Sequence, residues 1–177
     1  MKIYLHIDNY EEFIDSYSRN ILKSEKEAIS RYFSFGKISK FRSVNIGLGA
    51  DWLVLLLVVD IGLSIIKTGA EINDGIDGWI GIGKKLNKLF CRKKIVSIDK
   101  YGATALALSL IRKKQKINKI QKLQESTIDL SKMTHFYRGT NLNLLKYYIQ
   151  TYYINDSDVY VVGVSATGEA KIIKHFV

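Results

Sequence analysis

Three β-rich segments close the chain, and they constrain its fold more than anything before them: Tyr147–Ile154, Val159–Val164 and Ala170–Phe176. The intervals between them are Asn155-Asp156-Ser157-Asp158 and Ala166-Thr167-Gly168. Asn and Asp tolerate left-handed backbone and Gly adopts it freely, so both intervals carry tight-turn chemistry. Links this short return the chain antiparallel, because a parallel neighbour needs a crossover of about a dozen residues or more. Tyr160, Val162 and Val164 alternate with Val159 and Val161, so both faces of the second segment are apolar. It is expected in the middle of an antiparallel meander.

Upstream, the apolar period changes. Ile3, Leu5 and Ile7 alternate with Tyr4 and His6, which predicts a first strand over Lys2–Ile7. Tyr10, Phe13, Ile14, Tyr17 and Ile21 recur at helical spacing behind Asp8 or Asn9 as cap, giving a helix over 10–22. Ser24 and Glu27 form a capping box for a second helix reaching Phe33. A loop and a strand near 40–46 follow. Residues 50–70 are the most apolar stretch, with Asp51 as N-cap and Trp52–Val59 apolar throughout. Asp60, Ser64, Lys67 and Glu71 then stand at steps of four, three and four, a polar helix stripe. A helix buried at its start and half-exposed at its end is expected there.

Ile72, Ile76, Trp79, Gly83, Leu86 and Phe90 share one face of a further helix over 72–90. Its glycines, at 75, 78, 81 and 83, mark close packing or a break, since each costs about 1 kcal/mol relative to Ala inside a helix. Lys94–Ile98 reads as a buried strand. Asp99 caps a helix with Ala103, Leu106, Ala107 and Leu110 on its core face, running on or restarting through Ile117, Ile120 and Leu123. Thr127–Leu130 is a further strand candidate. The chain has 177 residues and is 47% apolar, enough for one core. The expected fold is a single α+β domain over 1–177: a mixed sheet ending in the meander, packed by four or five helices including the very apolar one at about 50–70.

Charge points to a partner. Thirteen of the 27 basic residues lie between Lys84 and Lys122, against one acid, Asp99. The candidate contacts are Lys84, Lys85, Lys88, Arg92, Lys93, Lys94, Arg112, Lys113, Lys114, Lys116, Lys119 and Lys122. Like charges so concentrated repel one another unless an anionic partner neutralises them. The expected function is a non-enzymatic interaction protein presenting this segment to nucleic acid or to an acidic protein surface. Between Arg92 and Lys122 the only aromatic is Tyr101, which argues against base stacking along the segment. An anionic membrane is the alternative partner, met by a helical pair over 50–90 with basic residues at the head groups. Asp51 and Asp60 oppose insertion, an aspartate at the centre of a span costing about 2.5–3.5 kcal/mol.

Catalytic motifs are incomplete. Gly78-x4-Gly83-Lys84 fits the first seven positions of a phosphate-binding loop, but Lys85 stands where Ser or Thr must hold magnesium. Phe136–Thr140 resembles the Arg-Gly entry segment of some ADP-ribosyltransferases. Such an enzyme needs a catalytic acid well downstream, and the last acid, Glu169, adjoins the turn glycine Gly168. A small nuclease or toxin domain is a further alternative, its site built from His135, Arg138 and His175 if the fold brings them together. His6 lies on one strand face with Asp8, and His175 on one with Lys171. One cysteine, Cys91, excludes an internal disulfide and the common cysteine-rich zinc sites. No cofactor or metal is expected. The N-terminal stretch lacks the apolar run of a signal peptide, so the expected location is the cytoplasm, with membrane association as the alternative.

Overall fold

The computed structural model describes residues 1–7, 27, 31, 33, 35–45, 51–59, 69, 71–72, 75–92, 96–130 and 143–177, with side chains except at 5–7, 35–45, 51–59, 71–72, 92 and 143. Strands β1 (Lys2–Ile7), β2 (Phe35–Asn45), β3 (Asp51–Val59) and β5 (Val96–Ile98) form one sheet in the order β2-β3-β1-β5. Strands β4 (Glu71–Ile72), β6 (Ile120–Asp129), β7 (Lys146–Ile154), β8 (Asp158–Ser165) and β9 (Ala170–Phe176) form the other in that order. Helices α1 (Ile76–Arg92) and α2 (Lys100–Arg112) complete the described elements, with a short 3-10 turn at Asn143–Leu145.

The meander over the last four strands is present, and β8 lies inside it between β7 and β9. The Asn155 and Asp156 backbones are left-handed (φ 52° and 60°), as is Gly168 (φ 97°), so the expected turn residues do turn the chain. Three expectations are corrected. Among the described residues there are two α-helices rather than four or five. The described strand pairs are all antiparallel and split between two sheets, so the described residues form no mixed sheet. Asp51–Val59 is a strand rather than the start of an apolar helix, paired with β2 on one edge and β1 on the other. A run apolar at every position carries no period, and a strand paired on both edges accommodates it as well as a buried helix does. The 10–22 helix, most of the 24–33 helix, and Asp60, Ser64 and Lys67 lie outside the described residues, while Glu71 belongs to β4. The expected helical continuation through Ile117, Ile120 and Leu123 is instead the approach to β6 and its start.

Helix α2 organises the core. Its residues 102–109 and 111 are all buried, because it is covered by α1 and by strands of both sheets. Asp99 sets its start as foreseen. Its Oδ1 accepts from the Tyr101 and Gly102 amides (both 3.1 Å), and its Oδ2 from the Lys2 amide (2.8 Å), tying the helix to β1. Burial pushes this carboxyl above its ordinary range, against the pull of those donors. Helix α1 buries Trp79, Leu86 and Leu89 against this core and crosses α2 at Gly83. A Cβ at Gly83 would lie 2.1 Å from the Ala105 carbonyl oxygen, so close packing accounts for this glycine.

Candidate functional site

Among the described side chains, the basic segment presents two exposed groups, a half-buried Lys119 and an interior Lys122. Lys84, Lys85 and Lys88 project from α1, with Lys85 6.0 Å from the centre of the Phe33 ring. The second group follows α2: Arg112 is half-buried, and Lys113, Lys114 and Lys116 are exposed. Contact between Phe90 and the turn at Gly168 puts the end of α1 at one end of β8. Asn155 puts the second group at the other end, roughly 23 Å away at about 3.3 Å per residue. Arg92 ends α1, its side chain not among those described; Lys93 and Lys94 lie outside the described residues.

One asparagine builds the second group. Asn155 Oδ1 accepts from the Asn118 and Lys119 amides (2.8 and 3.1 Å), while its Nδ2 donates to the Lys116 carbonyl (2.7 Å). These bonds stop the helix after Lys113 and turn the chain into β6 without glycine or proline. Lys119 Nζ reaches Asp156 at 2.9 Å.

Lys122 is different. Its side chain is 2% exposed, with Nζ 3.0 Å from Glu125 Oε1 and donating to Thr104 Oγ1 at 3.2 Å. Gln150 Nε2 donates to the same Thr104 and Glu125 oxygens (both 3.0 Å), and the Tyr152 hydroxyl donates to Gln150 Oε1 (2.7 Å). Burial pulls the ammonium below its ordinary range and raises the Tyr152 hydroxyl. In this structure Lys122 is an interior cation committed to its own sheet and α2. Residues three apart on a regular strand face opposite ways. Here the ladder passes from Lys122↔Tyr152 to Glu125↔Gln150 across a bulge at Leu123, which turns both side chains to the α2 side.

A second bulge builds a cleft beside Lys114. Between Val161 and Val162 the register of β9 skips Ile173, so His175 pairs with Tyr160. The bulge moves His175 off the face expected to carry Lys171 and turns it toward α2. His175 and Tyr160 stack at 4.1 Å with rings 10° from parallel, and His175 Nε2 lies 2.8 Å from Asp158 Oδ1. Hydrogen bonds from Ser157 (2.5 Å) and then His175 hold the Asp158 carboxyl below its ordinary range. Lys114, Gln115, Tyr160, Ile172 and His175 line a half-open cleft of about 560 Å³.

Of the three residues named for a nuclease site, only His175 is placed; His135 and Arg138 lie outside the described residues. Asn155, Asp158 and Tyr160 were legible only as turn or core residues, since their partners lie 17 or more positions away or across a bulge. Cys91 is exposed and unpaired by any disulfide. Among the described residues no group of three His, Cys, Asp or Glu side chains is placed to hold a metal, and no helix is long and apolar enough to cross a membrane. With Asp51–Val59 in a sheet, that segment does not form one half of a helical pair with α1. Comparison with family models, curated proteins and solved structures finds no match to this chain.

Proposed function

We propose that this is a non-enzymatic interaction protein that binds nucleic acid through the charge of its lysine-rich segments. One observation carries the proposal. Lys84, Lys88, Lys113, Lys114 and Lys116 are all exposed, and among the described residues none of them has a carboxylate partner. Two described acids at the Asn155 turn are already engaged, Asp156 by Lys119 and Asp158 by His175. Cations held close together without acids raise the local potential, and a phosphate backbone relieves it. Two groups toward opposite ends of β8 suit a long polyanion, which can touch both.

A fluorescence anisotropy titration with labelled duplex and single strand tests this. Affinity should fall linearly on logarithmic axes as salt rises, because each neutralised phosphate releases counterion. Charge reversal at Arg112, Lys113 and Lys114 should weaken binding to all sequences alike while leaving the melting temperature near wild type. No detectable binding at about 50 mM salt would remove the proposal. Binding to anionic vesicles or to an acidic protein, without binding to nucleic acid, would transfer the same surface to that partner.

A further inference from the structure

We propose that the cleft between the end of α2 and the bulged strand β9 binds a phosphate monoester carrying a planar ring, that is, a mononucleotide or the terminal nucleotide of a strand. The proposal deepens the nucleic-acid reading by giving one nucleotide unit a seat beside the second lysine group. Lys114 belongs to that group and also lines the cleft, so the charge that attracts the strand continues into a concave site.

The lining is two-sided. Lys114, the Gln115 amide and the His175 imidazole are polar, whereas Tyr160 and Ile172 are largely apolar. A phosphate ester has the same division between its charged end and its ring. Asp158 holds His175 Nε2, which fixes the imidazole and leaves Nδ1 as its second polar atom. With the ring protonated, Nδ1–H donates to a phosphate oxygen and Asp158 balances the added charge. Lys114 supplies the second cation, and charge-assisted bonds of this kind are the strong ones. Tyr160 covers one face of the imidazole, whose side chain is still 37% exposed. A base laid against the free side extends the stack. The volume of about 560 Å³ lies within the range of small-ligand sites. Inorganic phosphate satisfies the cations but leaves Ile172 and the free imidazole face without a partner, so it should bind more weakly.

The test is an NMR titration of the full chain with uridine 5′-monophosphate, following the His175 ring protons and assigning them from their loss in His175→Gln. Inorganic phosphate and ribose 5-phosphate are the comparison ligands. The nucleotide should shift these signals saturably, with a Kd of about 1 mM or tighter, and inorganic phosphate should bind at least about tenfold more weakly. Lys114→Glu should weaken nucleotide binding by about tenfold or more, and Lys114→Gln by less. Unmoved His175 signals, or equal binding of phosphate and nucleotide, would overturn the proposal. If a labelled strand still binds in a salt-dependent way while the nucleotide is silent, the cleft assignment alone fails. If the nucleotide binds and the strand does not, the cleft stands and the polymer reading fails.

Discussion

Replacing Gly83 with Ala tests how the two helices pack, because propensity and sterics predict opposite signs there. Inside an unconstrained helix, Gly→Ala stabilises by about 0.8–1.0 kcal/mol. At Gly83 the new Cβ would lie 2.1 Å from the Ala105 carbonyl oxygen and 2.6 Å from the Ser109 Cβ. Backbone oxygen and Cβ cannot swing aside as the tip of a long side chain can. Helix α1 must move off α2, which loosens the contacts around the fully buried Trp79, Leu86 and Leu106. Overpacking of this kind costs about 1–3 kcal/mol. An approach of 2.1 Å to backbone puts the cost in the upper half of that range, about 2–3 kcal/mol, so subtracting the propensity gain leaves a net loss of about 1–2 kcal/mol, a fall of roughly 2–8 °C in Tm at this chain length.

Gly81 is the control. It lies two residues earlier in the same helix, and a Cβ there would meet nothing within 4 Å. Gly81→Ala should therefore stabilise by up to about 1 kcal/mol. Urea unfolding of both variants beside wild type reads the difference directly. A Gly83→Ala variant as stable as wild type would refute the helix crossing. A Gly81→Ala variant that loses as much as Gly83→Ala would refute the steric explanation, since only one of the two sites is crowded.

Three further outcomes follow from the site geometry. Asn155→Ala removes three hydrogen bonds and leaves a Cβ residue in left-handed backbone, so it should cost about 2 kcal/mol, and Asn155→Gly less; equal stability of Asn155→Ala and wild type in thermal melts would contradict the role given to this residue. Lys122→Met leaves the mostly buried Glu125 carboxylate with only the more distant Lys100 ammonium (3.8 Å) and the Gln150 amide, and should cost about 2–3 kcal/mol, whereas adding Glu125→Leu should recover part of that loss; strictly additive losses in urea unfolding would show the pair is not coupled. Because the Asp158 carboxyl is held low by Ser157 and His175, its contribution to stability is present above the ordinary carboxylate pKa of about 3.9 and is lost as pH falls through the lowered value; Asp158→Asn should flatten the acid limb of a Tm-against-pH curve, and an unchanged limb would refute this.

Elements whose signals are local were legible in the sequence. Lys2–Ile7, the Asp99 cap, the helix ending near residue 90 and the meander all follow from period, cap or turn residues within a few positions. Trp52–Val59 misled because an unbroken apolar run has no period, and the polar residues after it happen to fall at helical spacing. Three β-branched valines, Val54, Val58 and Val59, were the available hint of a strand. The end of α2 misled for another reason. No glycine or proline marks it, and the groups that stop it come from Asn155, 37 positions from Asn118. Lys122 looked like one more surface lysine, since nothing local distinguishes a cation that will be paired inside.

The two polar clusters share a cause that explains why neither was visible. A strand read at period two puts Lys122 with Gln124 on one face and Glu125 on the other. It likewise puts His175 with Ile173 and Lys171. One extra residue in each strand, Leu123 and Ile173, reverses the later part of the pattern. Leu123 and Ile173 are themselves exposed, at 43% and 53%, although both are large and apolar. Regular alternation would leave Glu125 and His175 on that outer face beside them. The sheet thus leaves two apolar side chains in water and turns a lysine, a glutamate and a histidine toward the helix. In the first case the Lys122–Glu125 pair is satisfied by Thr104 and Gln150 within the fold. In the second, the His175–Asp158 pair sits at the wall of an open cleft beside Lys114, so its polar capacity is not used up by the protein's own groups. That difference makes the first cluster part of the architecture and the second a place for a ligand.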